Sequence, residues 1–212
     1  YPTSSTGSNT GGAISSSGSG SVTNITNATF TNNSAYGGGA VEAWTGKMTI
    51  TTSDFVGNWA TNNGGAISAS NGTILEVNTS TFKGNYTSDP SGNGGAISVY
   101  DVNATINNSI FGGTGDDEGN TAKNGGAIYF EPTKNTGSGS LTINGSDFIN
   151  NHATNSAGAI YQAGGTLTVN GSLFDGNSAI NNSNGGAISS FGSGKLIIDG
   201  SKFLNNTSYG AA

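Results

Sequence analysis

The sequence predicts an all-β fold, a right-handed parallel β-helix (a solenoid) of about seven coils with three short strands in each coil. Two short motifs recur along the 212 residues, and the segment between them alternates apolar and polar residues. That alternation is typical of a half-buried strand, and no segment carries the 3.6-residue period of an amphipathic helix. A unit of roughly 30 residues cannot bury its own apolar side chains, whereas stacked units can. Parallel crossovers are nearly always right-handed, which gives the expected hand of the coil.

The first motif is a tetrad of a small residue, glycine, alanine and an aliphatic residue. Glycine lets the chain bend sharply and lets neighbouring coils approach each other closely. The tetrad therefore predicts a corner and the first strand of each coil. Its seven copies begin at Gly11, Gly38, Gly64, Gly94, Gly125, Ala157 and Gly185.

The second strand precedes a recurrent phenylalanine. The residues seven and five positions before each phenylalanine are mostly apolar, as Leu141 and Ile143 are before Phe148, and the residue between them is mostly polar. Asn-Gly at 144–145 and at 170–171 then supplies a turn with positive φ. The pattern predicts a strand with one face in the core, followed by a tight turn.

The third strand carries the phenylalanine, and an asparagine follows three residues later. Stacked coils place like residues on like, so we expect inward ladders of phenylalanine and, two residues earlier, of serine. The asparagine is expected to point inward at a corner, where its amide bonds to the next coil. The fourth copy departs, because Thr114 stands three residues after Phe111. The expected ladder asparagines are Asn33, Asn58, Asn85, Asn151, Asn177 and Asn206.

Composition excludes several classes of protein. Charged residues make up 8 % of the chain, arginine is absent and the formal net charge is −6. A nucleic-acid binder needs a basic face, so no nucleic-acid partner is expected. Cysteine is absent, which excludes disulfides and thiolate metal sites. The expected organisation is a polar N-terminal segment or cap over residues 1–10 and one β-helix domain over residues 11–212.

Gly-Gly-Ala-(Ile/Val) tetrads that alternate with Phe-x-x-Asn motifs over residues 11–211 resemble the repeats of the chlamydial polymorphic membrane proteins. The resemblance implies a β-helical passenger exposed on the cell surface, often delivered by an autotransporter, with adhesive and oligomerising roles. We therefore expect a non-enzymatic, secreted protein of the extracellular space or cell surface. It would act as an adhesin passenger or as a structural segment of a surface filament, and its partner would be a receptor or glycan of a host or neighbouring cell.

The alternative is a β-helix that binds or processes polysaccharides. Enzymes of that kind need converging carboxylates or a basic residue beside bound calcium, but the eight aspartates fall mostly one to a coil. No Gly-x-Ser-x-Gly elbow, Walker loop or His-Glu-x-x-His motif is present in the sequence. The sequence favours a protein that is not an enzyme.

Three sets of residues are candidates for binding or modification. An outward strip of aromatic residues stacks on sugars or on a partner, although such residues also occur on ordinary β faces. A run of acids suits calcium, whose ligands are oxygens, or is simply a solvated loop. No cofactor is required. The aromatic candidates are Trp44, Tyr100, Tyr129 and Tyr161, and the calcium candidates are Asp116, Asp117 and Glu118. Glycosylation candidates in Asn-x-Ser/Thr sequons are Asn24, Asn71, Asn103, Asn144, Asn170 and Asn181.

The last residues suggest self-association. Tyr209, Gly210 and Ala211 look like the opening of another tetrad, with no polar cap after them. Either the piece belongs to a longer array, or the open end pairs with a second copy. A head-to-tail contact of that kind does not close and would build a filament.

Overall fold

The computed structural model describes residues 11–132, 139–181 and 184–210, which form a parallel β-solenoid of about seven coils. Each coil contributes one strand to each of four seven-stranded sheets, and every strand pairs in parallel with its counterpart in the neighbouring coil. The described residues contain no helix, and therefore no helix that could span a membrane. The expected cap over residues 1–10 lies outside the described residues. The right-handed sense of the coil stays a prediction.

Sheets 1 and 2 are built from the segments on either side of the turn that follows each tetrad, with strands numbered in chain order. Sheet 1 contains β1 (Ile14–Ser17), β5 (Val41–Trp44), β9 (Ile67–Ser70), β13 (Ile97–Tyr100), β17 (Ile128–Glu131), β21 (Ile160–Gln162) and β25 (Ile188–Ser190). Sheet 2 contains β2 (Val22–Thr26), β6 (Lys47–Thr51), β10 (Ile74–Asn78), β14 (Asn103–Asn107), β18 (Ser140–Asn144), β22 (Thr166–Asn170) and β26 (Lys195–Asp199).

Sheets 3 and 4 lie on either side of the asparagine corner. Sheet 3 contains β3 (Thr29–Thr31), β7 (Asp54–Val56), β11 (Thr81–Lys83), β15 (Ile110–Gly112), β19 (Asp147–Ile149), β23 (Leu173–Asp175) and β27 (Lys202–Leu204). Sheet 4 contains β4 (Ser34–Gly37), β8 (Trp59–Asn63), β12 (Tyr86–Thr87), β16 (Thr121–Asn124), β20 (His152–Ser156), β24 (Ser178–Ile180) and β28 (Thr207–Tyr209).

The prediction of three strands per coil is wrong, because sheet 4 supplies a fourth. At least four residues separate each corner asparagine from the next tetrad, which is enough for a short strand. These strands have polar residues on both sides of the alternation, as in β8, so their apolar period is weak. The sequence signal is an alanine two residues after most corner asparagines. Ala60, Ala122, Ala153 and Ala179 occupy that position and are buried.

The two glycines of the tetrad have different tasks. Gly64 has a φ of 68°, the left-handed region that glycine enters without a steric penalty. Gly65 lies so close to the next coil that an added Cβ would overlap the carbonyl oxygen of Gly95. Ala157 stands at the first position of the sixth tetrad with a φ of 60°, so that position accepts a methyl group. The first glycine thus turns the chain, and the second allows the coils to pack together.

The core consists of ladders that run along the solenoid axis. Parallel register aligns the phenylalanines of sheet 3, whose rings stack with centroids 4.7–4.8 Å apart and planes within 9° of parallel. The aliphatic residues of sheets 1 and 2 fill the rest of the interior. The stacked rings are Phe30, Phe55, Phe82, Phe111, Phe148, Phe174 and Phe203.

An asparagine ladder lines the corner between sheets 3 and 4. In each middle rung the side-chain oxygen accepts two bonds, from the backbone N–H and the amide nitrogen of the preceding rung. The amide nitrogen itself donates to the next asparagine and to the preceding coil's phenylalanine carbonyl, as Asn58 does to Asn85 and Phe30. The rungs are Asn33, Asn58, Asn85, Asn120, Asn151, Asn177 and Asn206.

Asn120 is the rung that the sequence pattern missed. It follows Phe111 by nine residues rather than three, because the fourth coil contains a six-residue insertion. Its amide nitrogen donates to the carbonyl of Phe82 at 2.9 Å and to Asn151 at 2.9 Å, as the other rungs do. Asn120 therefore continues the ladder, and the inserted residues form a loop between β15 and β16.

Candidate functional site

The outer face of sheet 1 carries most of the candidate binding residues in two axial rows. The inward positions of these strands hold mostly aliphatic or small residues, with Phe130 and Gln162 as exceptions, and the alternate positions face outward. The register aligns these outward residues from coil to coil. The first row is Ser15, Glu42, Ser68, Ser98, Tyr129, Tyr161 and Ser189, and the second is Ser17, Trp44, Ser70, Tyr100 and Glu131.

Trp44 and Tyr100 are the exposed aromatic residues of the second row. Their exposed fractions are 41 % and 42 %, large values for residues of this size on a packed sheet. Ser70 lies between them in register, one strand from each. Two large rings therefore flank a small side chain on the surface.

Tyr129 and Tyr161 stack on each other in the first row. Their ring centroids are 5.3 Å apart with planes 4° from parallel, and Phe191 continues the stack at 5.4 Å from Tyr161. The Tyr129 hydroxyl donates to Oε2 of Glu131 at 2.7 Å. Burial raises the pKa of both tyrosines, and Glu131 raises it further, so the two hydroxyls stay protonated. The faces of these rings largely cover each other, which leaves the ring edges for a partner.

Glu42 is an outward residue that is nonetheless buried. Its exposed fraction is 2 %, and Oε2 lies beside the backbone of Gly37 and Gly38 with no hydrogen-bond partner in the described part of the chain. Burial raises the pKa of this carboxyl to about 7, against the opposing effect of a hydrogen bond with the Ser68 side chain. Strand alternation alone places Glu42 in solvent, so sequence reasoning missed it.

Comparison with protein-family models identifies the repeat. Residues 27–43, 52–70, 79–100 and 118–131 match the repeat of the Chlamydia polymorphic membrane protein. These four segments are similar to that repeat. This finding confirms the resemblance on which the sequence analysis relied. No match was found among curated proteins or among solved structures.

The acidic loop, which contains Asp116, Asp117 and Glu118, lies between β15 and β16 in the insertion of the fourth coil. Both carboxylate oxygens of Glu118 are engaged: Oε1 accepts from Lys83 Nζ and Oε2 from the Gly115 N–H, each at 3.0 Å. The Lys83 side chain is the main reason that the pKa of Glu118 is lowered. Over the described ranges, no three acidic, histidine or cysteine side chains form a cluster that could hold a metal ion.

Calcium binding by Asp116, Asp117 and Glu118 stays a prediction. A calcium ion would have to displace Lys83 from Glu118 before that carboxylate could coordinate it. If it does bind, it stabilises the folded chain by mass action, and chelation lowers the melting temperature. Melting curves in excess calcium and in chelator test this, and identical curves would leave Glu118 as the partner of Lys83 alone.

The glycosylation candidates differ in whether the side-chain amide nitrogen already donates a hydrogen bond. Asn144 and Asn170 belong to a second, outer asparagine ladder, in which each donates to the preceding coil's asparagine at 2.8–2.9 Å. The Asn181 amide donates to the carbonyl of Thr154 at 3.2 Å. A glycan on any of these nitrogens would disturb such a bond. Asn24, Asn71 and Asn103 are exposed, and they remain the candidates that fit the fold better.

Proposed function

We propose that this chain is an extracellular, cell-surface β-solenoid that acts in adhesion and not as an enzyme. The polymorphic membrane protein repeats support the surface location. The single observation that carries adhesion is the outer face of sheet 1, where the large rings of Trp44 and Tyr100 are exposed in one axial row. Exposed aromatic residues of this kind are typical of contact surfaces, because they bury much area with few rotatable bonds.

The rigid stack of coils supports the same proposal. Each residue of the outer face is fixed by parallel pairing to both neighbouring coils, so its position along the axis is defined. A surface that is ordered before binding loses little conformational entropy when it meets a partner. Delivery as an autotransporter passenger and incorporation into a surface filament are further proposals that fit a repeat array.

Adhesion can be tested with two matched pairs of aromatic residues. Beads coated with the chain are expected to attach to cells or to a surface matrix, and Trp44→Ala with Tyr100→Ala to abolish attachment. The control is Trp59→Ala with Tyr86→Ala on sheet 4, where the two rings stack with centroids 6.1 Å apart and Tyr86 is also exposed. Equal attachment by both double variants would contradict a role for sheet 1.

The rival function, processing of polysaccharides, has a separate test. The chain is incubated with polysaccharide and the release of new sugar ends is measured over time. The proposal expects none above a buffer control. Turnover that survives repeated purification would make the chain an enzyme.

A further inference from the structure

The small side chain of Ser70 lies in register between two large aromatic residues on the outer face of sheet 1. Trp44 pairs with Ser70 and Ser70 with Tyr100, so the three side chains share one outward row. Neighbouring strands lie about 4.8 Å apart, which puts the Cα atoms of Trp44 and Tyr100 about 9.6 Å apart. A ring placed midway would lie about 4.8 Å from each, within the stacking range of rings. The three residues therefore bound a site, the Ser70 cleft, that is one ring wide when both rings extend away from the sheet.

The hydroxyl at the base of the cleft has no partner. Ser70 is 9 % exposed, and its Oγ makes no hydrogen bond within the described ranges. Such atoms are rare in folded proteins, because an unpaired buried polar group is costly. This Oγ has almost no accessible surface. A ligand hydroxyl would therefore reach it, and give it the hydrogen bond it lacks, only once the rings of Trp44 and Tyr100 had turned aside.

The geometry points to a neutral pyranose as the ligand of the Ser70 cleft. A sugar ring presents C–H groups on its faces, which pack on the rings of Trp44 and Tyr100, and hydroxyls at its edge, one of which meets Ser70. Glu131 follows Tyr100 in the same row and offers a carboxylate to a further hydroxyl. A partner's phenylalanine would fill the same space but leave Ser70 Oγ unpaired.

Charge excludes the acidic sugars. Glu131 follows Tyr100 in the second row, the strands of sheet 1 contain no lysine, and the chain has a formal net charge of −6. Sialylated or sulfated glycans would meet like charge on this face. The inference rests on the proposed adhesion and names its partner as the neutral sugars of a surface glycan.

Intrinsic fluorescence tests the cleft directly, because the chain has only two tryptophans. In Trp59→Phe, Trp44 is the sole reporter. Maltohexaose, cellohexaose and chitohexaose serve as neutral probes, with 3′-sialyllactose and a heparin hexasaccharide as acidic ones. At least one neutral probe is expected to change the emission of Trp44 saturably, and the acidic probes to leave it unchanged.

Two further variants in the Trp59→Phe background locate the binding. Ser70→Phe puts a ring between Trp44 and Tyr100, so it completes the row and occupies the cleft. Tyr100→Ala removes one wall. Each is expected to weaken sugar binding by roughly tenfold or more with an unchanged far-ultraviolet spectrum. Tyr86→Ala, the control on sheet 4, is expected to bind as tightly as the parent.

Each contrary outcome has a distinct meaning. If no neutral probe changes the emission of Trp44, or if Ser70→Phe still binds, the sugar cleft is wrong. Preference for the acidic probes also overturns it. Should attachment to cells depend on Trp44 and Tyr100 while no sugar binds, the partner is a protein and only this inference fails. Sugar binding by a chain that does not attach to cells would instead overturn the proposed adhesion.

Discussion

At the residue scale, the two glycines of the tetrad show how one motif meets two separate requirements. The first needs a left-handed backbone, which alanine can adopt at a cost. The second needs the absence of a side chain, because backbone atoms of two neighbouring strands occupy the space. Gly126 illustrates this: an added Cβ would overlap the carbonyl oxygens of Gly158 and His152. No adjustment of a flexible side chain can relieve such an overlap.

Alanine substitutions in the fifth tetrad test this difference. An added Cβ at Gly125 would overlap the carbonyl oxygen of Ile128 in its own coil, but Ala157 shows that this position accepts a methyl group. Gly125→Ala is therefore expected to lower the free energy of unfolding by about 1–2 kcal/mol, the cost of a left-handed alanine. Gly126→Ala is expected to cost about 3 kcal/mol or more, since the coils must separate to accommodate it. Urea denaturation of both variants measures the difference. A larger loss for Gly125→Ala would contradict the assigned roles.

Glu42 makes stability depend on pH. Its folded pKa of about 7 lies above its ordinary value of 4.5, so the folded chain holds this proton when the unfolded chain has lost it. The stabilising effect of that proton is complete below pH 4.5 and is lost as pH rises toward 7. Glu42→Gln, which cannot ionise, is expected to gain about 2–3 kcal/mol relative to the wild type over that interval.

The measurement is urea denaturation of the wild type and of Glu42→Gln at several pH values between 4 and 8. Glu76→Gln, which replaces an outward acid on sheet 2, is the matched control. It is expected to follow the wild type across the series. A constant difference between Glu42→Gln and the wild type would show that Glu42 does not titrate in this interval.

At the element scale, the corner asparagine is a structural element in its own right. Asn151 accepts from the backbone N–H and the amide of Asn120, and its own amide donates to Phe111 and Asn177 at 3.0 Å. Its side chain is fully buried, so water cannot replace these partners. Asn151→Ala would leave several buried polar groups without hydrogen-bond partners.

Thermal and chemical denaturation compare Asn151→Ala with His152→Ala, a substitution of the next residue. The loss expected for Asn151→Ala is about 1–3 kcal/mol. His152 is half-buried, and its ring Nδ1 lies 2.9 Å from Ser178 Oγ on the outside of sheet 4. His152→Ala is expected to be nearly neutral. The reverse order would contradict the central role of the asparagine ladder.

Sequence predicted those elements whose side chains repeat at constant spacing. The phenylalanine and the isoleucine represented by Phe148 and Ile143 recur at fixed positions in the repeat, so their ladders follow from stacking alone. Sheet 4 was missed because Trp59 and the polar residues after Ala60 give no clear apolar alternation. Asn120 was missed because an insertion shifts it away from Phe111. The burial of Glu42 depends on the neighbouring corner, which strand alternation does not describe.

At the scale of the whole molecule, the solenoid has an apolar end. Leu196, Ile198 and Phe203 of the last described coil occupy inward positions, yet they are 37 %, 44 % and 41 % exposed. Their counterparts Leu167 and Phe174, one coil earlier, are fully buried. A further coil on this face would bury these side chains and pair with the strand edges. A second copy of the chain, stacked on this face, would supply such a coil.

For the 212-residue chain we expect head-to-tail association through this end. Leu196→Lys puts a charge on the end face, where it would face an apolar partner, and is expected to keep the chain monomeric. Ile110→Lys makes the same kind of change at an exposed position in the middle of sheet 3 and leaves both ends intact. Sedimentation velocity over a range of concentrations should therefore show growing assemblies for the wild type and Ile110→Lys only. Because the contact is heterologous and does not close, the assemblies should lengthen with concentration and not stop at a dimer. A wild-type chain that stays monomeric at the highest concentration would contradict association through this end.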